Sequence, residues 1–453
     1  MMRSLYSGVA GLRAHQTKMD VIGNNIANVN TVGFKTSTVA FSDILYQKTQ
    51  SASASSGNVG GTNAKQIGLG SAVSSIYTDL AASGSAQNSN NTYDLMIEGN
   101  QFFIVSTSGG NYFTKVGAFT VDGAGNLVTY NGEYVMGWGV DPDDPTLIKK
   151  DLVKRLAIES DANKYAAPEA TSKAYVSGNI DKLDTKLTTA DGQIMSMTIY
   201  DAQGYSYTVK MKITQNTTDT SKYNVSVTDI VDSNNISITD KYDVKLGGKT
   251  FPSATEAVEL AFDPDNGQFD YIGSDGQSES ILEITPKDAA YGDIFNADGI
   301  AINFSEATMY STSGSTNIAL YGGDIGGEGK GKMVGTMIGT SINTDGRIYG
   351  TYDNGDIKLL GQIAVASFEN ASGLEKAGNN LYVASRNSGE FDGIGEDISL
   401  SGGTISQGVI EMSNVDLSKE FTEMITTQRG FQANSRIITT SDTMLEELVN
   451  LKR

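Results

Sequence analysis

The sequence predicts an α+β multidomain protein in which N- and C-terminal helices form a coiled-coil-like layer and β-rich middle domains are nested between them. Three observations carry this. Apolar residues recur every three or four positions at both ends, the period falls to two in between, and 453 residues are too many for one compact core.

The first helix is predicted from Leu5, Val9, Leu12, Gln16, Met19, Ile22 and Ile26, a narrow stripe close to the 3.5-residue seam of a coiled coil. At the other end Phe421, Met424, Gln428, Phe431, Ser435, Ile438, Leu445 and Leu448 or Val449 repeat the spacing. The run Ser413-Asn414-Val415-Asp416 supplies capping side chains just before it. From Leu417 to Asn450 there is no proline and only Gly430, so a helix of ~50 Å is expected at ~1.5 Å per residue.

Between the ends, Tyr205, Tyr207, Val209, Met211 and Ile213 alternate with polar residues, the mark of a half-buried strand, and Tyr223, Val225 and Val227 repeat it. Asn131-Gly132, Asp191-Gly192, Asn266-Gly267 and Asn354-Gly355 read as hairpin turns. Ser51 to Gly57 and Gly60-Gly61 read as an adaptable connector, and Gly322 to Gly331 as a second soft patch. The expected division is a terminal helical polymerisation domain (1–45 and 411–453), a flexible Ser/Gly-rich connector (46–70), an inner β domain (71–145 and 361–410) and an outer β domain (146–360).

Composition narrows the function. A net charge of −20 repels phosphate, which argues against nucleic acid and anionic membranes as partners. With no cysteine there is no disulfide, thiolate metal site or cysteine nucleophile. No apolar run approaches the ~20 residues of a membrane span, so no membrane insertion is expected. The N-terminal residues lack the apolar core of a cleavable signal peptide, so any export is expected to use another route.

An enzyme is a poor reading. The single histidine, His15, lies in the first helical stripe with no second histidine to share a metal or a triad. Gly326 to Lys332 imitates a phosphate loop, but Met333 stands where Ser or Thr is required; Gly248-Lys249-Thr250 has the reverse defect, with Asp243 at the first glycine. Asp263 to Gly267 resembles a calcium loop with its glycine one place early and Ser274 at position twelve, so an Asn-Gly hairpin fits better. Neither cofactor nor metal is expected. Trp138, between two glycines, fits a core residue better than a ligand-stacking one.

A helix pair buries only part of each stripe, and copies from neighbouring subunits would complete the burial. On pattern alone an ordinary intramolecular pair explains the stripes as well. A secreted carbohydrate-binding surface module would explain the β middle and the acidity, but not two long amphipathic ends.

The run Asn24-Asn25-Ile26-Ala27-Asn28-Val29-Asn30-Thr31-Val32-Gly33-Phe34-Lys35 resembles the signature of the flagellar rod and hook axial proteins. So do Ser413 to Phe421 with Met424, Ile425, Gln428, Arg429 and Asn434, and two internal stretches, Asp94 to Phe103 and Leu360 to Phe368. The large middle segment favours the hook branch over the distal rod, while the extra sequence after the first helix resembles rod relatives.

The resemblance implies a homopolymeric tube at the bacterial cell exterior. It would act as a universal joint between rod and filament, transmitting motor torque for motility. It further implies flagellar type III export and four axial partners: the distal rod protein, the hook cap, the hook-length control protein and the hook–filament junction protein. The residues expected at subunit contacts are Leu5, Val9, Leu12, Met19, Ile22, Asn24, Asn25, Ile26, Asn28, Gly33 and Phe34 from the first end. From the second they are Phe421, Met424, Ile425, Gln428, Arg429, Phe431, Asn434, Ile438 and Leu445. Within these, Gly33 is expected to permit a tight turn, Phe34 to bury beside it, and the asparagines to hydrogen-bond near the helix end. Gln428, Asn434, Thr439 and Ser441 are expected to form a polar face.

Overall fold

The computed structural model describes residues 2–55, 60–246, 249–251, 256–273, 279–287 and 299–451. The expectations for Ser56-Gly57, Gly248 and Ser274 lie outside the described residues. Contacts divide the chain into two units, the first comprising Met1–Asn163, Thr340–Gly350 and Lys358–Arg453, the second Lys164–Gly339 and Thr351–Ile357.

The first unit holds both terminal helices, α1 (Met2–Ala27) and α2 (Leu417–Asn450), packed against each other. Asp416 caps α2, its side chain accepting from the backbone N–H of Ser418 at 2.8 Å and of Lys419 at 3.2 Å. α1 is followed by four strands: β1 (Ser37–Asp43), β2 (Tyr46–Gln50), β3 (Lys65–Gly68) and β4 (Ser71–Thr78). β1 pairs antiparallel with β4, from Ser37 opposite Thr78 to Asp43 opposite Ser71, and β2 pairs with β3. Hydrogen bonds from Ile44 N–H to Gly70 O (2.9 Å) and from Leu69 N–H to Leu45 O (3.2 Å) join the pairs into one ribbon. The Ser/Gly-rich segment is therefore partly strand, because alternating Ser, Thr and Gln residues can pair as readily as they can loop.

The same unit contains a sheet in the order Ile357–Ile363, Tyr134–Gly139, Phe102–Thr107, Gly110–Thr114, Leu381–Val383, Glu375–Gly378. Its centre is apolar on both faces. Phe102 and Ile104 enter one core with Phe113, Trp138 and Tyr382. Phe103 and Val105 enter the other with Leu95, Phe119 and Ile363. Successive strand residues point to opposite faces, so the run Phe102-Phe103-Ile104-Val105 is what a doubly covered strand requires.

The second unit is built from two sheets around one core. The first runs Lys249–Phe251, Tyr242–Leu246, Ile281–Pro286, Ile300–Thr308, Lys173–Asn179, Ala319–Gly322; the second runs Gln193–Tyr200, Ser206–Gln215, Lys222–Asp232, Val258–Phe262, Phe269–Gly273. Val209, Met211, Ile213, Tyr223, Val225 and Val227 are buried in that core, as their alternation predicts. Tyr205 lies just outside its strand and is exposed. Asn131-Gly132, Asn266-Gly267 and Asn354-Gly355 do turn between consecutive strands, whereas Asp191-Gly192 is a turn entering a strand.

Candidate assembly interface

α1 and α2 run antiparallel, and their contact face is set by small residues. On α2 the buried and half-buried positions include Glu420, Met424, Thr427, Phe431, Asn434, Ile438, Ser441 and Leu445, spaced alternately four and three apart, with Glu423, Gly430 and Ser435 half-buried beside them. On α1 they include Gly8, Gly11, His15, Lys18, Ile22 and Asn25. A Cβ on Gly8 would lie 3.2 Å from Ile438 Cγ1, one on Gly11 2.7 Å from Asn434 Nδ2, and one on Gly430 2.7 Å from the His15 ring. At these three glycines the facing side chains sit close to the backbone, which lets the helix axes approach. Lys18 meets Glu423 at 3.0 Å, a partly exposed pair worth about 1 kcal/mol or less.

The seam shares Met424, Phe431, Ile438 and Leu445 with the stripe read from sequence, but its intervening members sit one residue earlier. Thr427 takes the place expected for Gln428 and Glu420 that of Phe421, while Asn434 joins the expected Ser435, both being half-buried. Asn434 and Ser441, expected on a polar face, lie in the seam instead, Asn434 filling the space left by Gly11 of α1.

Leu5, Leu12, Met19 and Ile26 are half-buried and Ile22 is buried, while Val9 is exposed. On α2 Gln428 and Arg429 are exposed, with Phe421 51% and Ile425 58% accessible. Met444 and Leu448 are also open, at 44% and 50%. At about 100° per residue, Leu417, Phe421 and Ile425 stand to one side of the α2 seam and Ile437, Met444 and Leu448 to the other. Both flanks of the pair therefore carry uncovered apolar side chains, at opposite ends of α2.

The asparagines close α1 and tie it to β1. Asn25 Nδ2 donates to Ser37 O (2.9 Å) and Glu420 Oε1 (3.1 Å), and its Oδ1 accepts from Ser37 N–H at 3.0 Å. Burial raises the pKa of Glu420 above its ordinary value, against the effect of that hydrogen bond. Asn28 Nδ2 donates to Asn24 O at 2.9 Å and to Asn24 Oδ1 at 3.1 Å. Gly33 adopts φ +66°, and a Cβ there would lie 2.7 Å from Val116 Cγ2; its N–H donates to Glu411 O at 2.8 Å. Phe34 is buried beneath the Lys376 ammonium, 5.6 Å from the ring centre.

Sequence reasoning missed the strongest feature here. Lys35 and Glu411, both 1% accessible, form an ion pair of 2.8 Å. Glu411 Oε1 also accepts from Gly84 N–H at 2.7 Å, and Lys35 donates to Ala82 O at 2.8 Å. Asn414 completes the joint, accepting from Thr36 N–H at 2.7 Å and donating to Asp79 O and Ala82 O at 3.2 Å each. Lys115 lies close by, its pKa pushed down to about 8 by burial and then by Lys35. No spacing in the sequence links Lys35 with Glu411. The only available signal was that Lys35 ends the first terminal motif and Glu411 lies two residues before the second.

Other sequence features resolve as structure. Trp138 is 1% accessible and its Nε1 donates to Asp151 O and Ile394 O at 2.9 Å, so it offers no face to a sugar. Gly326 to Lys332 is a set of turns with no helix following. Asp263 O accepts from Gly267 N–H at 2.8 Å within a hairpin. Among the described residues there is no cluster of metal-binding side chains, and no helix is long and apolar enough to cross a membrane.

Known proteins resemble the chain along its whole length. Family models match residues 5–35 (flagella basal body rod protein) and 96–167 (flagellar hook protein FlgE/F/G D1 domain). Two more match residues 161–320 (flagellar basal body protein FlaE D2 domain) and 406–451 (flagellar basal body rod FlgEFG protein C-terminal). The chain is similar to the flagellar hook protein FlgE of Borreliella burgdorferi, 35% identical over 481 residues, covering 100% of both chains. It is 34% identical over 500 residues to that of Treponema pallidum, again covering 100% of both. The flagellar basal-body rod protein FlgG of Bacillus subtilis is 30% identical over 453 residues, with 100% of both covered.

Proposed function

The chain belongs to the flagellar hook protein FlgE family, a family of non-enzymatic structural hook subunits of the flagellum, and from that premise we propose how it assembles and with what. The paired terminal helices polymerise through their flanks. Phe421 and Ile425 dock on one neighbouring copy, Met444 and Leu448 on another, and Leu5, Val9, Leu12 and Met19 on α1 add to the contact. The single observation that carries this is the uncovered apolar surface on both sides of the helix pair, at opposite ends of α2. Burying the remaining accessible half of four such side chains in each subunit would stabilise the polymer by about 3–6 kcal/mol gross, half of the ~1.5–3 kcal/mol that complete burial gives each. Asn24, Asn28, Gln428 and Arg429 border these contacts, while Gly33, Phe34 and the Lys35–Glu411 pair fix the angle at which the helices leave the β body.

The division into a terminal helical layer, an inner β domain and an outer β domain serves this assembly, with the ribbon of 46–70 as the adaptable joint. The chain is exported by the flagellar type III apparatus. Its axial partners are the distal rod, hook cap, length-control and junction proteins. The distal-rod reading keeps support from the FlgG relative; the match of 161–320 to a D2 domain model favours the hook.

Electron microscopy under polymerising salt tests the assembly. The unaltered chain is expected to form tubes. Phe421→Ser with Ile425→Ser, and separately Met444→Ser with Leu448→Ser, are expected to stay monomeric with unchanged Trp138 emission. Tubes of normal length from both double variants would refute the flank mechanism.

A further inference from the structure

His15 is the only histidine of the chain and lies where α1, α2 and β1 meet. Its ring fills the notch left by Gly430, where an added Cβ would fall 2.7 Å from both Cε1 and Nε2. It stands edge-on to Phe41 of β1, with ring centres 6.0 Å apart. Nδ1 is buried and has no hydrogen-bond partner among the described residues. A neutral imidazole tolerates this at modest cost. A protonated one would bring a positive charge, and an N–H at the buried Nδ1 without an acceptor, into the seam.

Among the described residues, the charged group that acts on the ring is a cation, not a counter-ion. Lys18, one turn along α1, acts on the ring and opposes a second positive charge. Glu423 on α2 is held by Lys18 at 3.0 Å, and Arg429 beside Gly430 is itself a cation. Asp43, on the same face of β1 as Phe41, is hydrogen-bonded to Tyr46; the titratable side chain that β4 contributes is Tyr77, which is exposed. Glu420 lies farther along the seam and holds Asn25.

We propose that His15 is a pH-sensitive latch between the two terminal helices, holding the pair closed while its imidazole is neutral and loosening it on protonation.

The direction follows from the surroundings. Burial first, and Lys18 second, lower the His15 pKa below its ordinary 6.5. The unfolded chain then binds the proton more readily. The helix pair therefore loses stability as pH falls below about 6.5, down to the depressed folded value. Glu420 works in the opposite sense. Its raised pKa means that the folded chain takes up its proton first, so the pair gains stability as pH falls toward 4.5. The two groups act in opposite directions, and the His15 contribution begins at the higher pH. A polymer that depends on this helix pair would be weakened in mild acid. The latch itself concerns the single chain and stands apart from the assembly mechanism.

Because the chain has one histidine, proton NMR of the soluble monomer reads its imidazole titration directly. The expected midpoint lies below 6.5. The thermal midpoint of the helical circular dichroism signal is expected to fall between pH 7 and pH 5, and not to fall in His15→Gln. Lys18→Met, which retains the imidazole, is expected to move its titration upward. A midpoint at or above 6.5 would overturn the latch. So would an equal pH slope in His15→Gln, or an unmoved titration in Lys18→Met.

Discussion

Lys35→Met is expected to unfold the helix-bearing unit more readily than any surface substitution. The mutation leaves the Glu411 carboxylate 1% accessible with Gly84 N–H as its remaining donor in place of the ion pair. Removing one partner of a buried pair costs about 3–5 kcal/mol. Lys115 moderates this: Lys35 helps hold its pKa down, so in the variant Lys115 carries its charge more readily and faces Glu411. The lower end, about 3 kcal/mol, is therefore expected.

Lys35→Met combined with Glu411→Leu removes both charges and leaves Gly84 N–H without its acceptor, about 1–3 kcal/mol. The double variant should thus be no worse than the single one, and clearly better than the sum of the two. Trp138 is the only tryptophan and sits in the core of the same unit, so its emission during urea unfolding reports this unit alone. With a slope of about 3 kcal/mol per M, the Lys35→Met midpoint should fall by ~1 M. A loss under ~1 kcal/mol, or a double variant whose penalty equals the sum of the singles, would show that the pair is not acting as a coupled buried unit.

Two further outcomes concern the same unit. Gly11→Val would drive a branched side chain into Asn434, 2.7 Å from the added Cβ; protease cleavage of both terminal helices should speed up while Trp138 emission is unchanged. Lys115, with a pKa near 8 against 10.5 in the unfolded chain, binds its proton less readily when folded, so stability by urea unfolding should rise by up to about 3 kcal/mol from pH 8 to pH 10. Lys115→Met should abolish that rise.

The alternation in 205–227 was a reliable guide because a strand with one buried face must place apolar residues at every second position. The terminal stripes were a guide to helix but not to register. Sequence reading favoured Phe421, Gln428 and Val9, following the large and long side chains. The structure pairs the helices through Gly8, Gly11 and Gly430 and leaves Phe421 and Val9 open. Close approach of two helix axes selects the smallest residues, which a hydrophobicity period does not count.

By itself, then, the sequence determined the terminal helices and the alternating strands of the middle, the turns at three Asn-Gly pairs and, through four motif blocks, the family, but not the strands within 46–70. Helix and strand periods, caps and turn residues are local properties written within a few positions. Only the tertiary structure decided that Lys35 meets Glu411 across 376 residues of chain, and that His15 fills the gap beside Gly430. It also decided which apolar side chains the helix pair leaves uncovered. These depend on how distant segments approach and on what volume is left between them, and no local pattern encodes that distance.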